Sequence, residues 1–242
     1  MCIRDRFTAD EQLLFMSDSG IEMGINWLYQ DDTSKYFWWD NADPSQRSIL
    51  LPNYSGISFA GGTIDISTQY AATILTNDIG AIDTSIEVNS TTGFPDSGII
   101  LINTEWIQYF SKTDTEFLSC IRGYGVSDPD SHTGGTFVYP ACQLTANITS
   151  TDTVIPVTST EKFLPTGTIF INNEAIRYRS KNSTNFLDCE RGSFDTTALP
   201  HAQNEKVFPA SFEAFISSTA QKDGRTKTVE VLIQYQYGSK WE

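Results

Sequence analysis

Ile100-x-Ile102-Asn103-x-Glu105-x-Ile107-x-Tyr109-x-Ser111-Lys112 is written a second time, as Ile169-x-Ile171-Asn172-x-Glu174-x-Ile176-x-Tyr178-x-Ser180-Lys181. Apolar residues alternate with others on both sides of an Asn-led dipeptide, Asn103-Thr104 or Asn172-Asn173, which is the pattern of a β-hairpin. Working outward, the match extends over Leu75 to Ala141 and Leu144 to Ala210 at a constant offset of about 69, with roughly 29 of 67 positions identical and no insertion. Asp83-Thr84-x-Ile86-x-Val88-x-Ser90-Thr91 returns as Asp152-Thr153-x-Ile155-x-Val157-x-Ser159-Thr160. Phe117-Leu118-x-Cys120-x-Arg122-Gly123 returns as Phe186-Leu187-x-Cys189-x-Arg191-Gly192. Four or five short strands per copy make this a mainly β chain of α+β class, with tandem β modules at 73–141 and 142–210.

Strand side chains alternate between faces, so Glu105, Ile107, Tyr109 and Ser111 share one side, as do Leu118, Cys120 and Arg122. The carboxylate therefore falls on the apolar face. Left unpaired there it would be strongly destabilising. The pattern predicts two structural pairs, Glu105 with Arg122 and Glu174 with Arg191, each locking the register of a small sheet rather than serving catalysis.

The flanks read differently. Thr8-Ala9-Asp10-Glu11 has the spacing of a capping box, and Leu14, Ile21, Ile25 and Leu28 lie on one helical stripe, which predicts a helix from Thr8 to Gln30. Ser17, Gly20 and Gly24 lie near that stripe, and each Gly disfavours a helix interior by about 1 kcal/mol, so their use is close approach to another backbone. Residues 31–54, with Tyr36-Phe37-Trp38-Trp39, read as a loop anchored by its aromatic rings. Ile57-x-Phe59 and Ile64-x-Ile66 flank Gly61-Gly62 as a hairpin; a second hairpin joins Phe212-x-Ala214-x-Ile216 to Val229-x-Val231-x-Ile233-x-Tyr235-x-Tyr237 through Asp223-Gly224. The two ends are expected to form one discontinuous base, residues 1–72 plus 211–242, in which the helix packs on a small antiparallel sheet. Gly20 and Gly24 are expected to face the strand carrying Val229, Val231 and Ile233.

Composition narrows the function. The chain has 242 residues, and its 39% hydrophobic and 12% aromatic content suffices for packed cores. A net charge of -14 repels phosphate backbones, so no nucleic-acid partner is expected. Cys120, Cys142 and Cys189 lack metal spacing and read as small buried hydrophobes, with a disulfide from Cys142 to Cys120 or Cys189 as the alternative. His132 and His201 hold equivalent positions and read as loop residues that bond backbone and close a turn. Asp128-Pro129-Asp130 and Asp31-Asp32 lack the spacing of a calcium loop and read as solvated acids. No P-loop, nucleophile elbow, dinucleotide fingerprint or zinc-protease motif is present, so no catalytic residue, metal or cofactor is assigned. Met1 to Arg6 resembles a translated sequencing adapter, and a missing N-terminal segment is expected.

The repeat text, Ile-x-Ile-x-x-Glu-x-Ile-x-Tyr with Leu-x-Cys-x-Arg-Gly and His-x-x-Gly-x-x-Val, resembles β modules of phage tail and other virion structural proteins, with Asn204 replacing Gly in the second copy. The flanks resemble another family. Leu14-Phe15-x-x-x-Ser19-Gly20-Ile21-Glu22-x-Gly24-Ile25-x-Trp27-Leu28, with Ile216-Ser217-Ser218-Thr219-Ala220 and Gly224-Arg225-x-x-x-Val229-Glu230, is similar to PilX-type and MSHA-type pilus assembly proteins. That resemblance implies a type IV pilus minor pilin, a non-enzymatic extracellular structural or adhesive subunit. It implies contact with other pilin subunits through the N-terminal helix, a surface receptor or glycan as further partner, and inner-membrane anchoring before assembly only through the missing segment. The alternative is a virion structural protein; a carbohydrate-active hydrolase ranks third.

Overall fold

The computed structural model describes residues 8–29, 54–125, 127–211 and 213–234, the side chains of 26–29 excepted. The expected aromatic loop at 31–53, Asp31-Asp32, Cys2, Phe212, Tyr235, Tyr237 and the side chain of Leu28 lie outside those residues. The chain is mainly β with a single helix among the described residues, and it divides into two compact units. The base unit draws on residues 8–29, 54–69 and 214–234; the second unit comprises the described residues from 70 to 213.

Thr8 opens the helix Ala9–Tyr29 through a reciprocal capping box: its N–H donates to Glu11 Oε2 at 2.6 Å, and the Glu11 N–H donates to Thr8 Oγ1 at 3.3 Å. Leu13, Met16, Ser17, Gly20, Ile21 and Gly24 form its buried face, recurring every three or four residues. This corrects the expected stripe, because Leu14 is 43% exposed and Ile25 only half-buried. The reason is size: the sheet lies so close that small side chains must face it. No described helix is long and apolar enough to cross a membrane.

The base sheet has the order Tyr54–Phe59, Gly62–Gln69, Glu213–Lys222, Arg225–Gln234. Its hairpins turn at Ala60-Gly61 (φ 49° and 82°) and Asp223-Gly224 (φ 51° and 74°), left-handed at both positions as the tightest twisted turn requires. The first turn thus falls one residue before the expected Gly61-Gly62. Gly20 and Gly24 face the two central strands: a Cβ on Gly20 would lie 2.0 Å from Ser218 Oγ and 2.8 Å from Ile64 Cγ2, and one on Gly24 3.0 Å from Ile216 Cγ2. The expectation that they face Val229, Val231 and Ile233 is therefore corrected. Those residues are half-buried on the edge strand, which the helix also touches, whereas Ile64, Ile66, Ala214, Ile216, Ser218 and Ala220 on the central strands are fully buried.

Each repeat builds its own core. Leu75, Ile79, Ile86, Val88, Phe94, Ile100, Ile102, Ile107, Tyr109, Phe117, Cys120 and Val138 form the first, and the identical residues at the repeat offset form the second, with Cys142 added. The predicted hairpins are present, Gly98–Ile102 with Glu105–Tyr109 and Gly167–Ile171 with Glu174–Tyr178, and Asn103 and Asn172 take left-handed φ of 54° and 52° in the turns. Ser119 and Asp188 are also left-handed, at 54° and 51°. That reverses the alternation. Phe117 rather than Leu118 joins Cys120 in the core, while Ser111 is exposed in a separate small sheet with Glu116–Leu118.

The two copies share one long sheet instead of standing as separate domains. Strand Phe137–Gln143 closes the first module against Gly98–Ile102, then continues as the opening strand of the second, where Cys142 and Gln143 pair with Val207 and Lys206. The expected boundary at 141/142 lies inside that strand. Lys206 pins the junction, with Nζ 4.8 Å from the Trp106 ring centre, 5.6 Å from that of Tyr124, and donating to Tyr124 O at 3.2 Å. Phe208 meets the Trp106 ring edge-on at 5.5 Å. Elsewhere on the junction the Lys162 N–H donates to Gly93 O at 2.7 Å.

Candidate functional site

Glu105 begins the strand that follows the Asn103 turn, and its backbone position aims the carboxylate inward with Ile107 and Tyr109. The residue is 1% exposed. Arg122 meets it side-on, Nε donating to Oε1 at 2.9 Å and Nη2 to Oε2 at 2.8 Å. The Gly123 N–H donates to Oε1 at 2.9 Å, the Asp130 N–H reaches Oε2 at 3.3 Å, and His132 Nε2 lies 2.7 Å from Oε2. The guanidinium is spent in turn on carbonyls, Nη1 on Gly80 and Nη2 on Asp130 at 2.5 Å. One carboxylate thus ties together three loops that the strand ladders leave free.

The second copy repeats the arrangement. Arg191 Nε donates to Glu174 Oε1 at 2.7 Å and Nη2 to Oε2 at 2.9 Å; the Gly192 and Leu199 N–H groups each donate at 3.1 Å, and His201 Nε2 stands 2.7 Å from Oε2. Arg191 also donates to the Thr149 and Leu199 carbonyls. Gly123 and Gly192 are indispensable here: both have left-handed φ, 61° and 66°, and a Cβ on Gly123 would sit 2.7 Å from Pro129 Cδ. Burial alone would raise the Glu105 carboxyl, but the bonds from Arg122, His132, Gly123 and Asp130 outweigh it and hold it below the usual carboxylate value. Glu174 is held down likewise against its burial by Arg191, Leu199 and His201.

The copies differ on the far side of the histidine. Asn103 Nδ2 lies 3.2 Å from His132 Nδ1, whereas Glu205 Oε2 stands 2.8 Å from His201 Nδ1 and accepts from Asn172 Nδ2 at 2.7 Å. Alternation along the strands places Glu and Arg together, but it assigns His132 and His201 only to closing a turn through backbone bonds. Their backbones do close turns, pairing with Ile79 and Ile148, while their rings complete the carboxylate's shell. The recurrence of Glu, Arg and His among the few charged or titratable residues common to both copies is the signal that links them. Glu205, four residues after His201, stands in the text without a counterpart in the first copy.

Chemically this is a brace. Both carboxylate oxygens are filled by donors, so neither can take a proton from a substrate. No group of three or more metal-ligating side chains occurs among the described residues. Cys120, Cys142 and Cys189 are buried free thiols, so the alternative disulfide is not formed; Cys120 sits in the first core, Cys142 and Cys189 in the second. Burial pushes Cys120 and Cys189 up to about 12 and raises Cys142 as well, which makes all three inert. Compared with protein-family models, curated proteins and solved structures, the chain matches none.

Proposed function

We propose that this chain is a non-enzymatic structural and adhesive subunit of a type IV pilus-like filament, a minor pilin that carries two braced β modules at the cell surface. The observation that supports it most is the base: a helix lies on a sheet assembled from both ends of the chain, and Gln69 stands directly opposite Phe215. The modules therefore leave and re-enter one strand pair as an insertion, and the base sheet is continuous without them. The braces favour a structural role too, since the buried acids and imidazoles that could have done acid–base chemistry are engaged in holding loops.

The test is to recover the coding sequence upstream of Thr8 and to follow the tagged protein in a piliated host. A prepilin leader, an apolar helix half and co-purification with sheared filaments are the expected results. A start without either feature beside tail genes, with the protein in particles instead of filaments, overturns the reading in favour of a virion component.

A further inference from the structure

We infer that a recess on the base sheet, on the face that carries Asp65 and Ser67, binds a neutral sugar ring; this rests on the adhesive part of the function proposed above. Strand Tyr54–Phe59 slips register between Tyr54 and Ile57, at Gly56 with φ 69°. Asp65 Oδ1 accepts the Gly56 N–H at 2.7 Å and fixes this bulge, and nothing lies within 4 Å of where a Gly56 Cβ would be. Bulges re-aim side chains and open sheet edges. Here the result is a recess of about 270 Å³ lined by Tyr54, Ser55, Asp65, Ile66, Ser67, Ser217 and Thr219. Asp65 pairs with Thr219 and Ser67 with Ser217, so four of these side chains stand in two rows on one face.

The lining chemistry selects the ligand. The hydroxyls of Ser55, Ser67 and Ser217 make no hydrogen bond to a described residue, and Asp65 Oδ2 has no described partner. Hydroxyls donate and accept, and a carboxylate only accepts. Among the described residues no Lys, Arg or His lines the recess, and its one ionisable acid is the carboxyl group of Asp65, so nothing there favours phosphates or acidic sugars. One carboxylate among neutral hydroxyls falls short of the six to eight oxygens, several of them charged, that calcium takes. What fits is a neutral ring rimmed by hydroxyls. The volume, just below the usual range of ligand sites, leaves room for one pyranose and not for a chain.

The experiment is a nitrogen-15 NMR titration of the whole chain with methyl glucoside, methyl mannoside, methyl galactoside and N-acetylglucosamine. At least one should give saturable shifts at the amides of Asp65, Ser67, Ser217 and Thr219, with Kd on the order of 1 mM, the strength of a few exposed hydrogen bonds. Tyr54→Ala and Ser217→Val should each weaken binding about tenfold or more with the rest of the spectrum unchanged. Ser67→Ala supplies the same readout if either variant misfolds. Absence of saturation up to about 100 mM, shifts elsewhere, or full binding by the Ser217 and Ser67 variants overturns the site. Saturation by an extended peptide in place of the sugars assigns the recess to strand pairing along Tyr54–Phe59 and overturns it equally. Loss of sugar binding leaves the filament test untouched, so the two proposals fail separately.

Discussion

Replacing Glu105 by Gln keeps the shape of the brace and removes its charge. Five donors converge on the carboxylate: two from Arg122, and one each from Gly123, Asp130 and His132. An amide can accept at one position only. With its NH2 at the Oε1 site it faces the Arg122 Nε and Gly123 donors; at the Oε2 site it faces three. At least two buried donors therefore lose their acceptor, each worth about 1–3 kcal/mol, and the guanidinium loses its counter-charge. That agrees with the roughly 3–5 kcal/mol lost when one partner of a buried ion pair is removed. We expect Glu105→Gln to destabilise the first module by about 3 kcal/mol or more, read by urea unfolding and by hydrogen exchange resolved to each module. Arg122→Met alone should be comparably harmful, and the double variant much less so than the sum, because a buried pair replaced whole is often nearly neutral. A loss below about 1 kcal/mol for Glu105→Gln, together with additive single variants, would falsify the claim that the brace holds the module.

Acid should unfold the modules through the same groups. The Glu105 and Glu174 carboxyls are held below their unfolded value of about 4.3, so their stabilisation is complete above that pH and is lost as pH falls through the folded values. Circular dichroism should show wild type losing structure below about pH 4 and the Glu105→Gln/Glu174→Gln variant showing a weaker dependence there; equal acid sensitivity would exclude these groups as the cause. Gly20→Ala should lower the thermal midpoint, because overpacking against Ser218 and Ile64 by about 1–3 kcal/mol exceeds the helix-propensity gain of about 1 kcal/mol. Gly24→Ala, with its nearest contact at 3.0 Å, should be milder; the reverse order would displace the helix from the central strands. Cys120, Cys142 and Cys189 should resist a thiol reagent at pH 8 until the chain is unfolded, and rapid labelling of any of them in the native protein, seen by peptide mass, would contradict the packed cores.

Much of this architecture is legible because the sequence carries its own internal comparison. Every residue of the first module core recurs in the second, and the Glu–Arg pairs follow from simple alternation. Where alternation failed at Leu118, left-handed Ser119 resets the phase, and nothing in the letters of a non-glycine residue announces that conformation; Ser111 departs because the strand ends at Tyr109 and Ser111–Lys112 joins another sheet. The helix face is hidden from the pattern for a similar reason. A hydrophobic stripe selects Leu14 and Ile25, but contact with a close sheet selects Ser17, Gly20 and Gly24, whose value lies in the side chain they lack. The histidine's ring partner lay 27 residues away in sequence, beyond any local spacing rule.

Strand Phe137–Gln143 belongs to both modules at once, and this bears on how such a gene changes. Ala141 and Ala210 hold equivalent positions, yet the strand that holds Ala141 runs on to Gln143 whereas Lys206–Pro209 ends before Ala210. Unequal crossing-over between the two copies removes or adds a segment of about 69 codons in frame, and every junction so made falls between equivalent repeat positions. Array length can therefore vary in whole repeats under recombination, and selection on the number of modules can act before any new interface has had to evolve.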